Sequence, residues 1–302
     1  MTAASSQAKP ATTAWILLFI LGLLWGGSFF FGRIAVAEVP PFTLVFFRLF
    51  LAALALHIYL RGRMGLYPLL AEHWRSFAIM GLINNALPHT LIVFGQTQIG
   101  AGLAAILNAT TPIFTVLIAN RFTEDEKLST AKIVGCLLGL AGTAVLIGPG
   151  ISSAASVPLW ALLVPLCAAV SYGFAGTYGK RFRNIPAPVT ATGQLTASSL
   201  MMLPVMMVAD RPWTLAFPSA TVVAAILALA LLSTALGYLI YFRIMALSGA
   251  TYASLVTLLV PPSAILLGAI FLGERLKMTD LAGMVLIGLG LLVLNGMLKI
   301  RR

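Results

Sequence analysis

The chain alternates long apolar runs with short polar breaks, and ten of the runs approach the length of about 20 residues that crosses a hydrocarbon core of roughly 30 Å. They fall at 14–36, 42–60, 76–94, 101–119, 133–147, 159–176, 189–208, 222–242, 251–271 and 281–298. The pattern predicts an all-α integral membrane protein. Only the first run admits another reading, because Ala35-Val36-Ala37 has the small-x-small form of a signal-peptide cleavage site. That run is longer than a signal peptide's apolar core and only Lys9 precedes it as a charge, so it is expected to stay as a span.

Composition agrees: 60% hydrophobic residues, 9% charged residues and a mean hydropathy of +1.01 exclude a water-facing surface. The net charge of +11 would suggest a nucleic-acid partner in a polar chain, so the bases must be located before that inference is drawn. An even number of spans puts both termini on one side. Fourteen of the nineteen Lys and Arg residues fall on the terminus side, against Arg33, Arg211, Arg275 and Lys277 opposite. By the positive-inside rule both termini are expected in the cytoplasm, and the charge reports orientation rather than nucleic-acid binding. Cys136 and Cys167 both lie in apolar runs without metal-ligand spacing and are expected to be small core residues. No metal site and no cofactor is expected.

Aligned with itself, the chain matches at a nearly constant offset of 147 to 149 residues. Trp25-Gly26 falls on Tyr172-Gly173, Gly32-Arg33 on Gly179-Lys180, Pro41 on Pro188, Gly100-Ala101 on Gly249-Ala250, Pro112 on Pro261 and Gly135 on Gly283. Five spans per copy is an odd number, so the second copy would enter the membrane from the opposite side. The expected organisation is a cytoplasmic tail at 1–13, a first five-helix repeat at 14–148, an external linker at 149–157, a second, inverted repeat at 158–298, and a basic cytoplasmic end at 299–302. Two inverted five-helix repeats around a central cavity can pack in two nearly equivalent ways, which is what alternating access requires.

All eight acids lie at span ends or in loops, so a carboxylate-based sodium site or proton relay is not expected. His89, in Asn84-Asn85-Ala86-Leu87-Pro88-His89, lies about 21 Å from the cytoplasmic end of its span, and an imidazole at that depth can bond a substrate or carry a proton. Its repeat counterpart is Tyr238. Arg48 lies about 10 Å from the external end of the second span. It can snorkel to the interface or face a cavity and attract a carboxylate. Trp25 and Tyr172 are repeat-related rings near mid-depth, away from the interfacial aromatic belt, whereas Trp160, an outlying candidate, suits that belt.

Ser28, Asn85, Asn108 and Thr257 complete the candidate substrate-binding set. Gly26, Gly27 and Gly173 beside the rings, and Pro112, Pro261 and Pro262 in the fourth and ninth runs, are candidate hinges or gates. Gly135-xxx-Gly139 is a helix-contact motif that serves either bundle packing or a dimer.

Trp25-Gly26-Gly27-Ser28-Phe29, Pro41 with Arg48, the paired prolines and Gly273-Glu274-Arg275-Leu276 resemble the EamA-type ten-span exporters of the drug/metabolite transporter superfamily. Thr123-Glu124-Asp125-Glu126-Lys127-Leu128 stands where the first repeat of that family has Gly-Glu-Arg-Leu, a departure confined to a loop. Within the superfamily the chain is most similar to the YddG-type amino-acid exporters. The resemblance implies export of a small metabolite, such as an aromatic or other apolar amino acid, across the bacterial inner membrane by facilitated diffusion or weak proton coupling. A multidrug or organic-cation exporter of the same superfamily is the alternative. A membrane-embedded enzyme is the rival of another class, and it lacks a nucleophile motif and a buried acid to orient His89. The implied partners are a small-molecule substrate and the lipid bilayer; monomer and homodimer both stay open.

Overall fold

The computed structural model describes residues 12–124, 128–151, 157–271 and 278–294. Helix covers each of the ten apolar runs within those residues. The first half comprises α1 (Thr12–Ala35), α2 (Pro41–Leu60), the short α3 (Leu66–Glu72), α4 (Trp74–Gly81), α5 (Leu87–Gln96), α6 (Ala101–Asn108), α7 (Thr111–Phe122) and α8 (Thr130–Ile151). The second comprises α9 (Leu159–Gly179), α10 (Ala187–Ala209), α11 (Ala220–Ala228), α12 (Gly237–Ser254), α13 (Val256–Phe271) and α14 (Met278–Leu294). Among the described residues seven continuous helical stretches are long and apolar enough to cross a membrane, with shorter apolar helices at Thr130–Val145 and Leu281–Leu294.

The bundle is apolar outside and carries polar side chains within. Ile16, Phe19, Leu54, Ile58 and Leu200 are exposed, while Asn84, Asn85, His89, Gln96, Gln194 and Thr234 are buried. Water would penalise that arrangement; hydrocarbon favours it, because polar side chains then find partners only inside the protein. Trp74, Trp160 and Trp213 are exposed near helix ends, as interfacial rings are. Cys136 is buried, but Cys167 is exposed, which corrects the expectation that both cysteines sit in the core.

Contacts recur with the halves exchanged. Helix α1 packs on α12 and α13, and its counterpart α9 packs on α5, α6 and α7; α2 and α10 pack on each other. Helices α8 and α14 approach at their glycines: a Cβ on Gly135 would stand 2.7 Å from the Gly290 carbonyl oxygen, and one on Gly142 2.7 Å from that of Gly283. The Gly135 motif is therefore engaged within the bundle, where missing side chains let two backbones meet.

The third and eighth runs share a second device. Leu82–Ala86 joins α4 to α5 as a π-helical turn, and Leu229–Leu236 joins α11 to α12 in the same way. A π turn widens the helix by one residue and leaves backbone groups for side chains to satisfy. Both segments sit against the central cavity.

The candidate hinges occupy different kinds of helical position. Pro112 occupies the first turn of α7, after the break at Ala109 and Thr110, where a proline costs no hydrogen bond. Pro261 and Pro262 lie inside α13, and the break in the second half comes earlier, at Gly249, whose φ of 86° suits glycine. Gly26, Gly27 and Gly173 lie within unbroken helices. Gly173 is a close approach: a Cβ there would stand 3.1 Å from the backbone nitrogen of Thr115.

Candidate functional site

A central cavity is lined from α1, α2, α5, α6, α7, α9, α12, α13 and both π turns, Leu82–Ala86 and Leu229–Leu236. Trp25, Ser28, Arg48, His89, Asn108, Tyr172, Tyr238 and Thr257 all line it. The fold thus brings together residues that are more than 200 positions apart.

Two expected members are elsewhere. Asn85 is fully buried behind the wall, with neither amide atom hydrogen-bonded, and its neighbour Asn84 takes the lining position. The π turn explains the exchange, since it rotates the helix face away from a regular 3.6-residue count. Trp160 is 45% exposed on the outer surface, as an interfacial ring.

The rings form one connected wall. Trp25 lies with its centroid 5.5 Å from Tyr241 and 6.1 Å from Tyr238, and Tyr238 is 6.4 Å from the imidazole of His89. Their orientations are held by the π segments. Trp25 Nε1 donates to the Ser233 carbonyl at 2.9 Å, and Ser233 Oγ returns a bond to the Leu24 carbonyl at 2.7 Å. Tyr238 donates its hydroxyl to the Asn84 carbonyl at 3.0 Å, and Ser171 Oγ donates to the Ile83 carbonyl at 2.7 Å. Each half therefore uses the carbonyls of a π turn as acceptors for the other half. Gly237 makes room for this, because a Cβ there would stand 2.8 Å from Trp25 Nε1.

Arg48 faces the cavity, which decides between the two placements open from the sequence. Its Nε donates to Thr234 Oγ1 at 2.8 Å, and Thr234 donates in turn to the Leu229 carbonyl at 2.7 Å, again inside a π segment. Among the described residues no acidic side chain pairs with Arg48. His89 Nδ1 and Asn108 Oδ1 are buried without a partner, leaving two polar atoms beside the cavity unsatisfied.

Sequence reasoning missed Gln96, Thr111, Tyr241 and Ser254, which also line the cavity. Gln96 Nε2 donates to the Phe29 carbonyl at 3.1 Å, while the Gln96 carbonyl accepts from Arg33 Nη1 at 2.6 Å. The signal that could have found Gln96 is its repeat register: it corresponds to Met245, which touches Gly179, as Gln96 touches Gly32.

At the ends of α1 and α2, two acids join the halves. Asp210 Oδ2 accepts from the backbone N–H of Thr43 at 2.6 Å and from its hydroxyl at 2.9 Å. Glu38 accepts from the backbone N–H of Ser219 at 2.7 Å and from its hydroxyl at 2.8 Å. The Ser219 backbone bond, then its hydroxyl, holds the Glu38 carboxyl below its ordinary value.

Known proteins resemble the chain over nearly its full length. The profile of the EamA-like transporter family matches residues 12–148 and again 159–296. The uncharacterized inner membrane transporter YedA of Escherichia coli strain K12 is 28% identical over 86% of this chain and 83% of its own. A probable terminal-alkyne amino-acid exporter of Streptantibioticus cattleyicolor is 25% identical over 95% of this chain and 94% of its own. A solved crystal structure superimposes with a TM-score of 0.76 at 21% identity, covering 94% of this chain and 97% of that one, which is a likeness of fold.

Proposed function

The chain belongs to the EamA-like transporter family, and from that premise we propose that it exports apolar amino acids, aromatic ones among them, by alternating access. In this reading ten spans form two inverted five-helix repeats, at 14–148 and 158–298, in a bacterial inner membrane with both termini cytoplasmic. The two separate matches to the family profile, and the exchange of helix contacts between halves, support the repeat.

The observation that carries the substrate class is the pairing of one guanidinium with an aromatic wall. Arg48 offers its free amino groups to a carboxylate, and Trp25, Tyr172, Tyr238 and Tyr241 offer apolar faces to a side chain. Asn108 and His89 supply acceptors between them. An organic cation would meet Arg48 without a counter-charge, which disfavours the multidrug alternative. Similarity to a probable amino-acid exporter points the same way. With no acid inside a span, movement down a gradient or weak coupling through His89 is the mechanism the residues allow.

The test is counterflow in liposomes with a panel of labelled amino acids under an imposed pH gradient. Saturable exchange of apolar members is the expected result, and no saturable flux of any amino acid would refute the substrate class. Flux insensitive to the gradient would identify facilitated diffusion.

A further inference from the structure

Within the cavity the fixed charges do not balance for a zwitterion. Arg48 contributes a positive charge, its one hydrogen bond among the described residues uses Nε, and no described acid pairs with it. The remaining polar lining is uncharged: Ser28, Asn84, Gln96, Asn108, Thr111, Ser254 and Thr257 carry only hydroxyls and amides. Tyr238 gives its proton to the Asn84 carbonyl, so in the 3.4 Å contact His89 Nε2 is the donor, as it is in one tautomer of the neutral imidazole. That tautomer leaves Nδ1 as a bare acceptor, like the unpartnered Oδ1 of Asn108. A neutral acceptor bonds an amide or hydroxyl as readily as an ammonium, and it does not cancel a charge.

A bound zwitterion would therefore leave the cavity with one uncompensated positive charge. A carboxylate without an ammonium would leave it neutral. In a site walled by rings, an uncompensated charge is penalised more than at an open surface. We infer that the cavity recognises its cargo by a carboxylate paired with Arg48 and makes no demand on an α-amino group, so that amine-free apolar carboxylic acids are ligands at least equal to the amino acids. This rests on the amino-acid reading above and names what the same site recognises.

Calorimetric titration of the purified full chain in detergent at neutral pH tests it with three probes of one ring: L-phenylalanine, 3-phenylpropanoate and phenethylamine. Binding, unlike flux, is not confounded by passage of the neutral acid through a bilayer. The expected order is 3-phenylpropanoate at least as tight as L-phenylalanine, with phenethylamine more than about tenfold weaker than either. The inference is overturned if 3-phenylpropanoate binds more than about tenfold more weakly than L-phenylalanine, or if phenethylamine binds comparably; the amino-acid reading survives either result. Binding of 3-phenylpropanoate without L-phenylalanine would overturn the amino-acid reading and leave the inference standing, and no binding by any probe would end both. Arg48→Gln is expected to abolish the preference for the carboxylate, with Arg48→Lys retaining part of it. The ligand order on the unaltered chain decides the matter even if either variant fails to insert.

Discussion

Gln96 sits on Gly32: its Oε1 lies 3.1 Å from where a Cβ on Gly32 would stand. The repeat counterpart is Met245 on Gly179, where the corresponding distance to Sδ is 2.8 Å. The first pair joins α1 to α5 at their C-terminal ends, and the second joins α9 to α12. In the proposed topology the first contact, whose Gly32 and Gln96 line the cavity, would gate its outer end, and the second would gate its inner end. The two closures differ in chemistry. Gln96 is tied by hydrogen bonds to the Phe29 carbonyl and from Arg33, whereas Met245 offers an adaptable thioether with dispersion contacts alone. The inner closure should yield first, which suits a carrier that loads from the cytoplasm.

Removing the Gln96 side-chain bond should tilt that balance. Gln96→Leu loses a buried hydrogen bond worth about 0.5–1.5 kcal/mol, so the outward-open population should rise by roughly two- to tenfold. The measurement is external thiol labelling of a Ser28→Cys probe in a chain freed of Cys136 and Cys167. Unchanged labelling with export intact would show that the Gln96 contact does not gate the cavity.

The glycine seam between α8 and α14 leaves no room for a methyl group, because a Cβ on Gly290 would stand 2.7 Å from the Gly135 carbonyl oxygen. Gly135→Ala and Gly290→Ala should each destabilise the fold by about 1–3 kcal/mol through overpacking, seen as a lower apparent Tm in detergent. Loss of a dimer without a change in Tm would instead assign the seam to contact between two chains.

Much of this architecture was readable from residue order. Long apolar runs and a steady repeat offset are properties of sequence, and Trp25, Arg48, His89, Tyr172 and Tyr238 stood out as polar or aromatic groups at mid-membrane depth. What escaped was rotation about the helix axis. Asn84 and Asn85 are adjacent, about 100° apart on a helix, and only the π turn decides which reaches the cavity. Proline is ambiguous for a related reason: it marks the places where a helix is allowed to start as well as where it must bend, and Pro112 stands at a start.

The Glu38 contact should show an acid limit. Its carboxyl is held below the ordinary 4.5 by Ser219, so the contact is complete above that value and is lost as pH falls through the lowered folded value. External labelling of the Ser28→Cys probe, normalised to the labelling rate of a free thiol at each pH, should therefore be flat from neutral pH down to mild acid. Glu38→Gln at neutral pH should raise it, since an amide accepts the two Ser219 donors less strongly than a carboxylate does. A rise in normalised labelling of the probe with Glu38 intact, as the pH falls from about 7 to 5, would place the sensitive group elsewhere, because Glu38 stays ionised there.

Thr234 tests whether the π segment positions the cavity's charge or merely tolerates it. Thr234 Oγ1 accepts from Arg48 Nε while donating to the Leu229 carbonyl, so one hydroxyl ties the guanidinium to the widened turn. Thr234→Val keeps the shape and removes the acceptor, releasing Arg48 to snorkel outward. A hydrogen bond to a charged group is worth about 1.5–3 kcal/mol, so KM for the cargo should rise by about tenfold or more. The maximal rate should change little, because the substitution alters ground-state binding and leaves the closures at Gln96 and Met245 untouched. Thr234→Ser should restore KM, since it returns the hydroxyl without the methyl group. If Val and Ser behave alike, the Arg48 orientation is set by packing and not by this bond.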